Sequence, residues 1–313
     1  MSDLKERIKT ESLRLGFSHC GMTRNDSLEK LRPFYSAFLK RNGHAGMGYL
    51  ESNFERRMHP ELVLEGARSV IALLVNYFPP ATIPEQDNFI LAKYAYGSDY
   101  HRVVKDRLNE FVHFMKLTCG SHQAKAFVDS GAILEKAWAQ KCGVGWQGKN
   151  TLIINKSSGS FFFIGIILTD LELEPDAPET DHCGACNHCA TACPTGALDI
   201  PYQLDIPRCI SYQTIENREE IPAELKSKLN DRIYGCDICQ DVCPYNRFAS
   251  PHQIPAFLPP EPVMNFRKKE WIALTEPDFN RIFADSPIKR SGYQRLKRAM
   301  SPRICFQVKP GQA

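Results

Sequence analysis

From Cys183 to Pro194 the chain reads CGACNHCATACP, a C-x2-C-x2-C-x3-C-P run, and no other stretch constrains the fold as strongly. Three thiolates spaced by two residues wrap one face of an iron–sulfur cubane, while a fourth placed before proline turns away to ligate a second cluster. A half-run, Cys236-x2-Cys239-x3-Cys243-Pro244, repeats that ending, with Cys209 alone between the two. Two [4Fe–4S] clusters need eight thiolates, and Cys183, Cys186, Cys189, Cys193, Cys209, Cys236, Cys239 and Cys243 supply them. Exchange of the last ligand between the runs assigns Cys183, Cys186, Cys189 and Cys243 to cluster one and Cys193, Cys209, Cys236 and Cys239 to cluster two. The alternative is a pair of zinc sites, since C-x2-C pairs also suit tetrahedral zinc. Zinc has no need of the shared x3-C-P ending. Disulfides are disfavoured, because close C-x2-C runs without a secretory segment belong to a reducing compartment.

The start, MSDLKERIKTESLRLGF, has no apolar stretch of signal-peptide length and no twin arginine, and no later run reaches membrane-spanning length. A cytoplasmic protein with no membrane partner is expected. At 313 residues with 43% hydrophobic side chains, the chain can bury a full core and divide into more than one domain. Its net charge of +3 conceals an asymmetry: residues 281–313 carry +7 and the remainder −4. Such a basic end, with Lys289, Arg290, Arg295, Lys297 and Arg298, suits a polyanionic partner or is a solvated helix face. Cys20, Cys119, Cys142 and Cys305 are scattered singly and are expected to be small buried hydrophobes.

Apolar spacing predicts helices over 3–15, 27–41, 102–117 and 132–141, and a buried strand over Ser69–Phe78. A short strand, AKAFVD, ends at Asp129, and TLIIN with SFFFIGIILTD, joined by KSSG, suggests a hairpin. The pattern is α/β (α+β) over residues 1–175. An acidic, proline-containing linker enters a cluster domain at 176–250, and a Pro-rich connection with the basic segment fills 251–313.

Three constellations have bland readings beside functional ones. Gly143-Val-Gly-Trp-Gln-Gly148-Lys149-Asn150 nearly matches a phosphate loop, but that loop needs a strand before and a helix after, and here the order is reversed. A tight loop whose glycines let a ligand approach the backbone is the better reading. Asp99-Tyr-His101 resembles the start of a histidine-ligand motif for cobalamin, with Val104 in place of its glycine, and Asp99 equally suits a helix N-cap. Asp129, in FVDSGAILEKA, stands at a strand-to-helix junction, where it either caps or faces a cleft.

Together, YLESNFERRMHPELVLEGARSVI, AKYAYGSDYHRVVKDRL, VDSGAILEKAWAQKCGVGWQGKNTLII, CGACNHCATACPTGAL, CISYQTIE and YGCDICQDVCPYN resemble the epoxyqueuosine reductases of tRNA modification, over residues 5–300. Longer members carry a helical-repeat domain after the cluster region, for which this chain has no room. The resemblance implies a nitroreductase-like cobalamin-binding domain followed by a ferredoxin-like domain with two [4Fe–4S] clusters. It implies reduction of epoxyqueuosine to queuosine at the tRNA wobble position, with electrons from an external low-potential donor; a monomer is expected. Epoxide to alkene takes two electrons and two protons, and cubanes pass electrons singly, so a two-electron nucleophile such as reduced cobalamin is required. Asp129 matches the family's proton donor, a role for which burial against the corrin must raise its pKa. Arg57, Asp129, Asn150, Ser211, Gln213 and Asp237 are implied as corrinoid contacts, with Tyr100 or His101 as fallback proton sources. Two alternatives are a cobalamin-dependent reductive dehalogenase and a simple iron–sulfur electron carrier needing only residues 180–250. Corrin absorption would exclude the carrier, and turnover of tRNA but not of a haloarene would exclude the dehalogenase.

Overall fold

The computed structural model describes residues 2–300. Its strands are β1 (His19–Arg24), β2 (Ser69–Asn76), β3 (Ile90–Leu91), β4 (Ala124–Phe127), β5 (Trp146–Gln147), β6 (Ile153–Ile154), β7 (Phe162–Thr169) and β8 (Arg232–Tyr234). The principal sheet runs β1-β2-β7-β4 with every neighbour antiparallel. The apolar run of β2 is explained by its two buried faces: Ile71, Leu73 and Val75 join one core, and Val70, Ala72 and Leu74 join the other. The helix Tyr100–Cys119 covers the first face with Val104, Leu108, Phe111 and Met115, while the helix Glu135–Lys141 covers the second with Trp138 and Ala139. Burying one such side chain contributes about 1.5–3 kcal/mol, so this three-layer sandwich is the stable frame of the molecule.

The expected hairpin between TLIIN and SFFFIGIILTD does not form. Only a bridge between Asn155 and Gly159 closes the KSSG turn; β6 pairs instead with β5, and β7 inserts between β2 and β4. Strand β7 is apolar on both faces, and only a central position buries both. The glycine loop also differs from expectation, because its glycines admit the chain's own backbone and not a ligand. A Cβ on Gly143, at φ 72°, would lie 2.2 Å from the Ala177 carbonyl oxygen, and one on Gly145 would lie 2.4 Å from that of Ile154.

A second core gathers segments far apart in sequence. Phe89 and Tyr96, Ile210 and Ile233, and Trp271, Phe283 and Leu296 pack in one cluster. Within it β3 pairs in parallel with β8, so an excursion from the N-terminal half is built into the cysteine-bearing half.

Candidate active site and cluster centres

Four of the eight cysteines lie around one cavity. Cys183, Cys186, Cys189 and Cys243 border one cavity of about 240 Å³ together with Lys149, His182 and Tyr245. Burial raises the Cys243 thiol pKa, and the thiolates that add to the effect are Cys183, Cys189 and Cys186. For Cys239 burial again leads, followed by repulsion from Cys236 and Cys209, and the charge felt by Cys209 comes from Cys193. Among the described residues no three His, Cys, Asp or Glu side chains converge as a single metal ion would require. The spread of four thiols around a cavity suits a cubane better than tetrahedral zinc. Lys149 donates from Nζ to the carbonyls of Gly184 at 2.5 Å and Cys186 at 2.9 Å, holding the first turn of the run and setting a cation beside it. Of the single cysteines, Cys142 is buried, Cys20 and Cys119 are half-buried, and Cys305 lies outside the described residues.

A second cavity, of about 700 Å³, is lined by Tyr49, Arg57, Asp129, Glu135, Lys136 and Gln147, among others. Asp129 is not the cap of the following helix, whose N-cap is Leu134. It follows β4 at φ 45°, a left-handed conformation, and its side chain is 64% exposed toward the cavity. Tyr100 is fixed by stacking on Phe163 of β7, ring centroids 4.2 Å apart, and its hydroxyl donates to Asp129 Oδ2 at 2.5 Å. His101 Nε2 lies 3.5 Å from the same oxygen. The ring is oriented by Asp99, 2.6 Å from Nδ1, and Asp99 is the helix N-cap, accepting from the His101 N–H at 3.0 Å. Arg290 Nη1 approaches the imidazole edge at 2.7 Å from Nε2.

The side chains around Asp129 act on its carboxyl in opposing directions. The His101 hydrogen bond, opposed by burial and reinforced by the Tyr100 hydroxyl, holds its carboxyl below the ordinary carboxylate range. Burial works against a charge on His101, but hydrogen bonds to Asp129 and Asp99 outweigh it and push its pKa up to about 9. Glu135, whose Oε1 accepts the Asp129 N–H at 2.5 Å, is pushed up to about 8 by burial and by the Asp129 charge. Lys136, also on the wall of this cavity, is exposed.

The remaining expected contacts are scattered. Arg57 is buried at the wall of the Asp129 cavity, donating to the Tyr49 carbonyl at 2.8 Å. Asn150 donates to the Cys239 carbonyl at 3.2 Å and borders the first thiol cavity. Gln213 is engaged at both ends, with Pro207 O at 2.6 Å and Asn217 Nδ2 at 2.7 Å, and the neighbouring Ser211 is half-buried. Asp237 is buried beneath the backbone N–H of Lys93 at 2.7 Å. Glu135, Lys136 and Lys149 join the site only in the fold. Their signal in sequence is faint: Glu135 reads as an acid in a helix first turn.

The basic end is not a free face. Arg295 donates to Ile215 O at 2.9 Å, Lys297 to Ile272 O at 2.6 Å, and Arg298 to the carbonyls of Gln213 and Asn217, both at 2.9 Å, as well as to Glu219. Arg295 and Arg298 thus close the C-terminal end of the helix Ile210–Ile215, which starts directly after Cys209. Lys289 and Arg290 remain exposed.

Residues 182–246 match the family "4Fe-4S double cluster binding domain", and residues 57–130 match "Epoxyqueuosine reductase QueG, DUF1730". The epoxyqueuosine reductase of Cellulophaga algicola is 44% identical over 291 residues, spanning 93% of this chain and 95% of that protein. That of Escherichia coli is 38% identical over 303 residues, 95% of this chain and 80% of the relative. The crystal structure of an epoxyqueuosine reductase with an epoxyqueuosine-modified tRNA-Tyr stem loop superposes with a TM-score of 0.84 at 30% identity, covering 96% of this chain and 80% of that one.

Proposed function

Because the chain belongs to the epoxyqueuosine reductase family, we propose that it reduces epoxyqueuosine in tRNA to queuosine, with the Asp129 cavity as the reaction site. The observation that carries the assignment is the cavity itself, whose wall brings together Arg57, Asp129, Glu135 and Lys136, with the Asp129 carboxylate gripped by the Tyr100 hydroxyl. The eight cysteines hold two [4Fe–4S] clusters as assigned, and the cavity holds cobalamin, with Arg57 and Asp129 at its wall. When bound, these groups supply electrons singly and then as a two-electron nucleophile.

The chain's own residues supply the proton. Asp129, His101 and Tyr100 form one hydrogen-bonded unit whose apparent pKa values belong to the set. Near neutral pH it holds a proton on His101 beside an ionised Asp129. The proton on His101 passes to the Asp129 carboxylate and from it to the departing epoxide oxygen, while Tyr100, fixed by Phe163, keeps the carboxylate aimed. Asn150 serves by tying the glycine loop to Cys239; Ser211, Gln213 and Asp237 serve by building the walls beside Cys209 and Cys236. Residues 1–175 carry the cavity, 176–250 the clusters, and the described part of 251–313, as far as residue 300, supports both.

No helix among the described residues is long and apolar enough to cross a membrane. We place the enzyme in the cytoplasm, as a monomer served by an external low-potential reductant. The test is anaerobic reconstitution with iron, sulfide and cobalamin, followed by turnover of an epoxyqueuosine stem loop. Conversion to queuosine that requires both cofactors is the expected result. Loaded protein that leaves the modified base untouched refutes the assignment.

A further inference from the structure

The loop between β4 and the helix Glu135–Lys141 is gripped at few points. Among the described residues Ser130, Gly131, Ala132 and Ile133 make no hydrogen bond. The far end is anchored by burial of Ala132 and Ile133. The near end is Asp129, a non-glycine residue at φ 45° whose side chain is mostly exposed. Such a residue stays in the left-handed region only when its surroundings hold it there. Tyr100 and His101 hold the carboxylate, but neither hydrogen-bonds to the backbone of Asp129. Its amide is held by one partner, Glu135 Oε1, 2.5 Å away and six residues along the chain.

We propose that Glu135 is a positioning residue: its side-chain oxygen latches the Asp129 amide, keeps that residue left-handed, and so aims the Asp129 carboxylate at Tyr100, His101 and the cavity. The proposal rests on the reading of Asp129 as the proton donor. Reach is the essential property. A glutamate on the first turn of the following helix spans the loop, whereas an aspartate at 135 is one methylene short and a glutamine keeps the accepting oxygen without the charge. The groups facing Glu135 are Asp129, His101 and Lys136, so its charge also enters their balance, and the variants must separate charge from reach.

The test compares Glu135→Gln, Glu135→Asp and Glu135→Ala in the protein loaded with clusters and cobalamin. Readouts are amide hydrogen exchange across residues 127–136 and the kcat and KM for an epoxyqueuosine stem loop. A latch predicts that Gln keeps near-parental exchange and turnover. Asp and Ala should exchange faster at Asp129 by on the order of tenfold, the equivalent of one ordinary hydrogen bond. Their kcat should fall by on the order of 10²-fold with KM little changed, the signature of a misplaced catalytic group. If Asp behaves like the parent and Gln fails, charge is the requirement and the latch is overturned. The same holds if exchange at Asp129 is unchanged in Ala. Faster exchange with undiminished turnover leaves the latch standing and removes Asp129 from the chemistry instead.

Discussion

Replacing Asp129 by Asn keeps the shape of the side chain but deletes the charge that His101 faces, and the structure sets the size of the consequence. His101 titrates at about 9 against an ordinary 6.5, although burial opposes its charge. At about 1.4 kcal/mol per pH unit, that shift stabilises the folded chain by about 3 kcal/mol below pH 6.5 and about 2.5 kcal/mol at pH 7. Asp129 is the first of the two carboxylates that raise it, so Asn forfeits about 1–2 kcal/mol of this. The sign follows from the direction. A folded-state pKa raised above the unfolded one contributes fully below about 6.5 and is lost as pH rises through about 9. The lowered Asp129 pKa is the same interaction seen from its partner, present above about pH 4 and lost in acid. The gap in thermal stability between parent and variant should therefore be widest near pH 5–6.5 and close by about pH 9.5. Imidazole NMR should show His101 titrating well below its parental value. Clusters and cobalamin should load normally, while turnover falls by about 10²–10⁴-fold, as for a lost general acid. A variant whose His101 still titrates at its parental pH, or that turns over like the parent, refutes the pairing or the role respectively.

Arg298→Ala should cost about 2–3 kcal/mol of thermal stability, because it strips partly buried carbonyls at the end of the helix Ile210–Ile215. That helix follows Cys209, so cluster two should be lost first, seen as iron falling from about eight toward four per chain. Cys209→Ser should produce the same iron loss without the loss of helix stability, and Ser at Cys20, Cys119 or Cys142 should leave iron unchanged; stoichiometric zinc in the parent would refute the ligand count. Neutral replacement of the exposed Lys289 and Arg290 should weaken tRNA binding and flatten its salt dependence, measured by titration at several ionic strengths. The same change at Arg295 and Lys297 should lower stability with little effect on the salt slope.

Much of this was legible because the relevant physics is local. The C-x2-C runs position their thiols within a few turns of chain, and β2 shows its double burial as an unbroken apolar run. Asp99 as a cap needed only the start of a helical pattern. What escaped was set by distant partners. The period of β7 cannot say whether it pairs with β6 or enters between β2 and β4. The glycines of residues 143–148 suggested a ligand, yet what approaches Gly143 is the carbonyl of Ala177, thirty-four residues away. The charge of the basic end was counted correctly from sequence. Its use was hidden, since whether Arg298 meets solvent or the end of another helix depends on how that helix folds back. For Asp129, sequence suggested the position but not the protonation state, which three residues from two elements decide together.

The pairing of β3 with β8 bears on how the molecule can be taken apart. The hydrophobic cluster beside Cys209 and Cys236 takes side chains from residues 83–96, 210–234 and 263–300. A fragment cut at the edges of the cysteine region would leave Ile210, Ile233 and Tyr234 without their partners and Asp237 without the amide of Lys93. The cluster region is thus not a cassette that can be moved between proteins, and the second thiol set assembles only after distant parts of the chain have met. Non-local assembly of this kind is slow. During synthesis the thiols of residues 183–243 emerge before the helices that complete their surroundings, so iron delivered early meets an unfinished site, and loading is best timed after release of the whole chain.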